Sequence, residues 1–109
     1  MSNLEFHVLL ALVAQPLYGY AIKDAVETES SGTLSPRAGS LYRVIARLVT
    51  SGLVKETEPD GDVPPHPGLA RKYYALTAAG RRELSAETRN RKLATAMAEK
   101  RLGIARGRS

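Results

Sequence analysis

An apolar helical stretch carries arginines and no acidic residue, a combination that suits the binding of an anion. The stretch is residues 34–54, LSPRAGSLYRVIARLVTSGLV. At about 100° per residue, Ser40, Arg43 and Arg47 project roughly opposite its apolar residues. Gly39 lies beside them and has no side chain to obstruct a close approach. The spacing predicts a helix that buries one face and presents guanidinium groups to phosphates or base edges on the other.

The charge of the whole chain agrees with an anionic partner. Its formal net charge is +5 over 109 residues. Before Arg37 the only basic residue is Lys23, whereas every charged residue from Arg37 to Arg47 is positive. A solvated surface is the commoner explanation of a basic run, but here separate basic runs fall on elements that can share one surface. This distribution favours nucleic acid as the partner.

The sequence gives almost no support for catalysis or metal binding. There is no cysteine, and the two histidines, His7 and His66, have no evident carboxylate partner. The segment DGD at residues 60–62 lacks the remaining ligands of an EF-hand loop and predicts a polar turn. No apolar run approaches the roughly 20 residues of a membrane span. We expect no enzyme, no metal, no cofactor and no membrane partner, and a cytoplasmic location.

Hydrophobic periodicity predicts three helices in the first half of the chain. Residues 4–14 are apolar on nearly every side and predict a buried helix rather than a signal peptide. A turn at PLYGY precedes a second helix at residues 20–29, which could also begin one residue earlier. The third helix begins either at Ser35 and Pro36, an N-cap followed by proline, or a few residues later, and it ends at Gly52. Its predicted core face consists of Leu41, Val44, Ile45, Leu48 and Val49.

The second half of the chain predicts two strands and a long last helix. The segments LVKET and RKYYALT are rich in β-branched and aromatic residues, and a long loop rich in proline and glycine joins them. Alternation along the second strand turns either Tyr73 or Tyr74 inward. Thr77 is the predicted N-cap of a helix at residues 78–102, after which the tail is expected to fray.

This order of elements predicts an α+β fold that is mostly α. Three helices followed by a two-stranded ribbon are typical of a winged helix-turn-helix, whose third helix is suited to the major groove of DNA. We therefore assign residues 1–76 to a DNA-binding domain. We assign residues 77–109 to a C-terminal dimerisation helix and its frayed tail.

Four short motifs resemble those of the PadR family of bacterial transcriptional regulators. LYGYAI at residues 17–22 resembles the family's L-x-G-Y-x-I, and AGSLY at residues 38–42 resembles P-G-T-L-Y at the start of the recognition helix. LVTSGLV at residues 48–54 resembles L-x-x-x-G-L-[IV]. RKYYALTAAG at residues 71–80 resembles R-K-Y-Y-x-L-T-x-x-G, the most specific of the four. The resemblance covers most of the chain.

Two departures from the family pattern affect the expected DNA face. Arg43 stands where the family often has proline, which adds a positive charge to this face, and Ala38 replaces the common proline of the helix start. The short C-terminal segment resembles the subfamily in which a single long last helix forms the homodimer. Some such members bind flat aromatic drugs by stacking on tryptophan, a residue that this chain does not contain.

The resemblance and the helical projection together predict double-stranded DNA as a partner. An arginine here could contact guanine or hold a phosphate, and phosphate is the commoner contact. The tyrosines could bind phosphate or pack at the edge of the core. The predicted DNA-binding residues are Arg37, Gly39, Ser40, Tyr42, Arg43, Arg47, Arg71, Lys72, Tyr20 and Lys23.

A homodimer is the second predicted partner, because the last helix carries a sparse apolar stripe that is unsuited to water. Pairing with a second copy, partly over the first helix, would cover this stripe and place two recognition helices about 34 Å apart on a palindromic operator. The predicted interface residues are Leu4, Val8, Leu84, Leu93, Met97 and Leu102. The resemblance also implies a repressor released by a small-molecule effector, while the alternative is a winged-helix adaptor whose basic face binds an acidic protein.

Overall fold

The computed structural model describes residues 1–58 and 72–104. Arg71, most of the loop before it and residues 105–109 of the tail lie outside this part of the chain. The described elements are, in chain order, α1 (Asn3–Ala11), β1 (Leu17–Tyr18), α2 (Gly19–Glu29), α3 (Ala38–Thr50), β2 (Val54–Thr57), β3 (Tyr73–Leu76) and α4 (Ala78–Leu102). The fold is mostly helical with a small antiparallel sheet, and the predicted winged helix is confirmed.

The sheet contains a strand that the sequence did not predict. Its order is β1-β3-β2, and Leu17 of β1 pairs with Tyr74 of β3. The prediction that PLYGY is only a turn was therefore wrong. A strand of two residues is too short to show alternation, and its pairing depends on a segment far along the chain. The predicted wing strands β2 and β3 are confirmed, with Val54 opposite Leu76.

The structure decides between the two predicted starts of α3 and shows that α1 ends earlier than predicted. Helix α3 begins at Ala38 with Arg37 as N-cap, so the later of its two predicted starts is confirmed. The Ser35 hydroxyl instead donates to the Glu27 carboxylate of α2 at 3.2 Å, and so does not cap α3. Helix α1 ends at Ala11, earlier than predicted.

The start of α4 matches its prediction and joins the base of the wing closely. The Thr77 hydroxyl accepts the backbone N–H of Gly80 at 2.9 Å, as expected of an N-cap, and donates to the carbonyl of Gly52 at 2.7 Å. A Cβ atom at Gly80 would overlap the carbonyl oxygen of Leu53, so only glycine allows this close approach. Gly103, with φ of 73°, caps the C-terminus of α4 in the left-handed conformation.

The core lies between the first three helices and the sheet. Four of the five residues predicted on the inner face of α3 are buried, and Val49 is partly buried against them. Tyr74 is the inward tyrosine of β3, whereas Tyr73 packs edge-on against Tyr18, with ring centroids 5.7 Å apart. The most deeply buried side chains are Leu9, Ile22, Leu41, Ile45, Val8, Val26 and Val54. This packing fixes the outer face of α3 at the surface.

Helix α4 is tied to both ends of α1. Arg81 donates to the carbonyl of Val13 at 3.2 Å, just after α1 ends. Near the start of α1, Arg91 donates to Oδ1 of Asn3 at 2.9 Å, and its guanidinium carbon lies 4.2 Å from the centroid of the Phe6 ring. The two helices therefore run in opposite directions.

Candidate nucleic-acid interface

The outer face of α3 brings together the central residues of the predicted DNA surface. Arg43 and Arg47 are exposed, Ser40 is half-buried, and a guanidinium nitrogen of Arg43 donates to the Ser40 hydroxyl at 3.3 Å. At Gly39 an added Cβ atom would meet nothing closer than Nη1 of Arg43, at 3.7 Å. Arg37 is exposed at the N-cap. The face is thus open to a large ligand.

This face is positively charged, with one acidic residue reaching it from another helix. Helix α3 and its N-cap contain three arginines and no acid. The carboxylate of Glu5 on α1 lies 3.6 Å from Nε of Arg47. Among the described residues, Arg37 and Arg43 make no ion pair. Their guanidinium groups are therefore available to an anionic ligand.

Tyr42 lies on the flank of α3 and contacts the start of α2. Its side chain covers Gly19, where a Cβ atom would overlap the Tyr42 hydroxyl, yet the tyrosine is still 45% exposed. The glycine of the LYGY motif therefore permits α2 and α3 to approach each other. Beside Tyr42, a shallow cleft of ≈ 310 Å³ separates α3 from the wing, and its polar lining includes Thr50, Glu56 and Lys72.

Two predicted DNA-binding lysines outside α3, Lys72 on the wing and Lys23 on α2, each lie beside a carboxylate. On the wing, Lys72 is exposed, but its ammonium lies 3.5 Å from the carboxylate of Glu56 on β2. On α2, Lys23 is paired with Glu27 at 2.8 Å, and this hydrogen bond raises the pKa of Lys23 and lowers the pKa of Glu27. Tyr20 is 66% exposed.

The residues predicted at a dimer interface fall into two groups. Val8 and Leu84 are 0% and 7% exposed and pack in the core of the chain itself, so little of their own surface could contact a second copy. Leu4 is partly buried against the same core. The sequence of α1, apolar on nearly every side, did not show which of its residues face inward. In contrast, the side chains of Leu93, Met97 and Leu102 are 69%, 47% and 73% exposed.

The exposed apolar residues of α4 lie on two sides of the helix. At about 100° per residue, Leu93 and Met97 share one side, whereas Leu102 lies in line with Leu84. The face of Leu84 packs on α1. The same face continues to Leu102, beyond the point where Arg91 meets the start of α1. Leu10, Val13 and Ile104, which the interface prediction did not include, are also 38%, 36% and 55% exposed.

The sequence analysis did not predict that Glu5 of α1 lies beside the outer face of α3. Its carboxylate accepts the backbone N–H of Ser2 at 2.8 Å, while the Ser2 hydroxyl accepts the N–H of Glu5 at 3.1 Å. The spacing S-x-x-E is the signature of this capping box and predicts where α1 starts. Nothing local in the sequence indicates that the same carboxylate meets Arg47.

The described part of the chain was found to hold neither a cluster of possible metal ligands nor a helix suited to span a membrane. Residues 1–58 and 72–104 contain no cluster of three or more acidic, histidine or cysteine residues that could hold a metal ion. His7 packs edge-on against Phe6, with ring centroids 5.6 Å apart. Within the same ranges, no helix combines the length and apolarity needed to cross a membrane.

The sequence profile of the transcriptional regulator PadR-like family matches residues 8–86, which is most of the chain. This chain belongs to the PadR-like family of transcriptional regulators. Over 86 residues it is 41% identical to a 37.1 kDa protein in a transposon of Streptomyces fradiae. That match covers 79% of this PadR-like chain but only 22% of the relative.

Solved PadR structures share the fold of this PadR-like chain. A PadR family transcription regulator from hypervirulent Clostridium difficile superposes with a TM-score of 0.75 at 21% identity, covering 93% of this chain and 99% of that one. Bacillus subtilis PadR, solved in complex with operator DNA, has a TM-score of 0.67 at 23% identity. That match covers 80% of this chain and 48% of the Bacillus protein.

Proposed function

We propose that this PadR-like chain is a sequence-specific DNA-binding repressor that acts as a homodimer on a palindromic operator. The observation that carries the proposal is the outer face of α3, which has three arginines, no acidic residue of its own and an open surface around Gly39. A helix of this kind fits the major groove of B-DNA. The complex of Bacillus subtilis PadR with operator DNA supports the same use of the fold.

Arg43 and Arg37 have different proposed roles on this face. Arg43 projects away from the core and has the Ser40 hydroxyl, a neutral group, as its neighbour. A bidentate contact of Arg43 with guanine would discriminate between bases by about 1–3 kcal/mol. Arg37, at the N-terminus of α3, is placed to hold a phosphate together with the free backbone N–H groups of the first turn.

Flanking contacts to the DNA backbone come from residues on both sides of α3 in this proposal. Tyr42 and Tyr20 are exposed near the start of α2, and Lys72 stands on the wing. Arg71, adjacent to Lys72, is assigned to the same role from its sequence position alone. Lys23 contributes less, because its ammonium is already paired with Glu27.

The second half of α4 supports the proposed dimer. Leu93, Met97 and Leu102 are exposed there, and water is an unfavourable surrounding for such side chains. A twofold pairing would cover them and would separate the two α3 helices by about 34 Å. In this proposal residues 1–76 bind DNA and residues 77–109 dimerise. An effector that alters the separation of the two α3 helices would release the operator.

Fluorescence anisotropy on paired duplexes tests the proposed function. The operator would be selected from random duplexes and compared with a shuffled duplex of equal composition across a salt series. We expect a preference of about a thousandfold, with an affinity that falls steeply as salt rises. Arg43→Ala should reduce this preference, whereas Arg89→Ala, at an exposed site on α4, should not.

A different result would point to another class of partner. If no duplex were enriched, and binding to all sequences were weak and equally sensitive to salt, sequence-specific regulation would be wrong. The basic face of α3 would then be better explained as a binding site for an acidic protein, as in an adaptor.

A further inference from the structure

One carboxylate from outside α3 reaches the surface on which this helix carries its arginines. Oε2 of Glu5 lies 3.6 Å from Nε of Arg47. The side chain of Arg47 is 60% exposed, whereas that of Glu5 is only 21% exposed. The acid is thus the more enclosed partner, and the arginine extends past it towards solvent.

The carboxylate of Glu5 is held in place by its own helix. Its other oxygen, Oε1, accepts the backbone N–H of Ser2 at 2.8 Å in the capping box of α1. The pKa of Glu5 is lowered, mainly by this backbone hydrogen bond and with a smaller contribution from Arg47, so the group is charged at neutral pH. A fixed negative charge therefore stands beside one arginine of the α3 face.

The contact is made with Nε, which affects what Arg47 can do. A guanidinium group has five N–H donors in a planar fork. With the Nε side facing Glu5, the edge formed by the two terminal nitrogens is left for another ligand. This edge has the bidentate geometry that matches the O6 and N7 acceptors of guanine.

The charge of Glu5 also changes the relative preference of Arg47 for phosphate and base. A phosphate that approached Arg47 would be repelled by the nearby carboxylate, and the repulsion would offset part of its attraction to the guanidinium. The acceptors of guanine carry no net charge and are repelled much less. Arg43, whose neighbour is the neutral Ser40 hydroxyl, has no such restriction.

We propose that Glu5 is a positioning residue for DNA recognition, which directs Arg47 to a base edge and disfavours its use as a phosphate clamp. This inference rests on the proposed function, since it needs α3 to lie on DNA. It assigns a role in sequence discrimination to the first turn of α1, a segment outside the helix-turn-helix. The expected signature is a gain in affinity for duplexes that lack the operator sequence, and with it a loss of specificity, when the charge of Glu5 is removed.

The test is a double-mutant cycle of Glu5→Gln and Arg47→Ala. Glutamine at this position still accepts the N–H of Ser2, because both Glu and Gln serve in a capping box, so the variant removes the charge and keeps the helix start. Dissociation constants for the operator and for a shuffled duplex would be measured across a salt series. Glu29→Gln, at an exposed site near the end of α2, makes the same change in net charge and is the control.

We expect Glu5→Gln to bind the shuffled duplex about tenfold more tightly and to lose about tenfold in the operator preference. Its salt dependence for the shuffled duplex should steepen by about 0.9, the value for one additional phosphate contact. In the Arg47→Ala background, Glu5→Gln should change the preference by less than about twofold. Glu29→Gln should leave the operator preference unchanged.

The possible contrary results are distinguishable. If the parent protein prefers its operator and Glu5→Gln keeps that preference, the role of Glu5 is wrong and the proposed function stands. An equal loss of preference with and without Arg47 would show a general charge effect and would also overturn the inference. A parent protein with no preference for any duplex would overturn both proposals.

Discussion

Arg43 and Arg47 are separated by about one turn of α3, and their neighbours give them different properties. Arg43 is next to a hydroxyl group, whereas Arg47 is next to a carboxylate fixed by the capping box of α1. Both arginines could be assigned to one surface from their spacing in the sequence. The difference between them could not, because Glu5 is distant in the chain and its contact with Arg47 depends on how α1 packs.

The pH dependence of stability offers a test of the Glu5 contacts at the residue scale. The folded protein lowers the pKa of Glu5, chiefly through the backbone N–H of Ser2, so the folded state binds fewer protons at this site than the unfolded state. The resulting stability is present above the ordinary pKa of a glutamate and is lost as pH falls through the lowered value.

We therefore expect Glu5→Gln to be less stable than the parent protein at pH 7, and this difference to be smaller at about pH 3, below the ordinary pKa of a glutamate. Urea unfolding at both pH values measures the two differences. A gap in the free energy of unfolding that stayed constant between these pH values would show that the charge of Glu5 does not stabilise the fold.

Gly80 provides a second prediction at this scale. Because a Cβ atom there would overlap the backbone carbonyl of Leu53, Gly80→Ala forces α4 away from the base of the wing. We expect a loss of about 2 kcal/mol in the free energy of unfolding, in the range of overpacked sites, measured by urea denaturation. Gly39→Ala is the matched control, because the nearest atom to its new methyl group is 3.7 Å away. Equal stability of the two variants would contradict the close approach.

At the scale of elements, the longer helices and strands were predictable from the sequence. Elements that are short, or whose boundaries depend on tertiary contacts, were not. The inner face of α3 shows a clear helical period, and Thr77 marks the start of α4 with a local signal, so both were predicted. Strand β1 has only two residues and exists because β3 lies beside it. The start of α3 depends on whether Ser35 caps the helix or bonds to Glu27, and the packing of α2 against this segment determines which of the two occurs.

The junction of α4 with the first turn of α1 leads to a prediction about Arg91. This side chain bonds to Asn3, pairs with Glu87 at 3.0 Å and lies over the ring of Phe6. Arg91→Ala should cost about 1–2 kcal/mol of stability and increase amide hydrogen exchange in the first turn of α1. Arg89→Ala, on the exposed side of the same helix, should change neither. Unchanged exchange in Arg91→Ala would show that other contacts hold α4 in place.

At the scale of the whole molecule, the second half of α4 is the surface to disrupt. A variant with both Leu93→Asp and Leu102→Asp places charges at two exposed apolar sites on different sides of the helix, so it should leave the fold of each chain intact. If the chain forms the proposed dimer, we expect this variant to be a monomer in sedimentation experiments. Its operator affinity should fall by about a hundredfold or more, because the two half-site contacts of the dimer would no longer be linked.

Ser85→Asp controls for the added charge in the dimer experiment, because this residue is exposed in the half of α4 that packs on α1. It should retain the oligomeric state and the DNA affinity of the parent protein. If the double variant also remained a dimer, the interface would have to lie elsewhere on the chain.

Phe6 is the only phenylalanine of the chain and follows Glu5 directly, and its ring contacts both the guanidinium of Arg91 and the ring of His7. Fluorinated phenylalanine would therefore give a single ¹⁹F NMR signal that needs no assignment. That signal would respond when α4 moves against α1, because Phe6 contacts Arg91 of α4. Glu5, the residue before Phe6, contacts Arg47 of α3. One resonance would thus report whether a candidate small molecule changes the contact of α4 with α1, next to the outer face of α3.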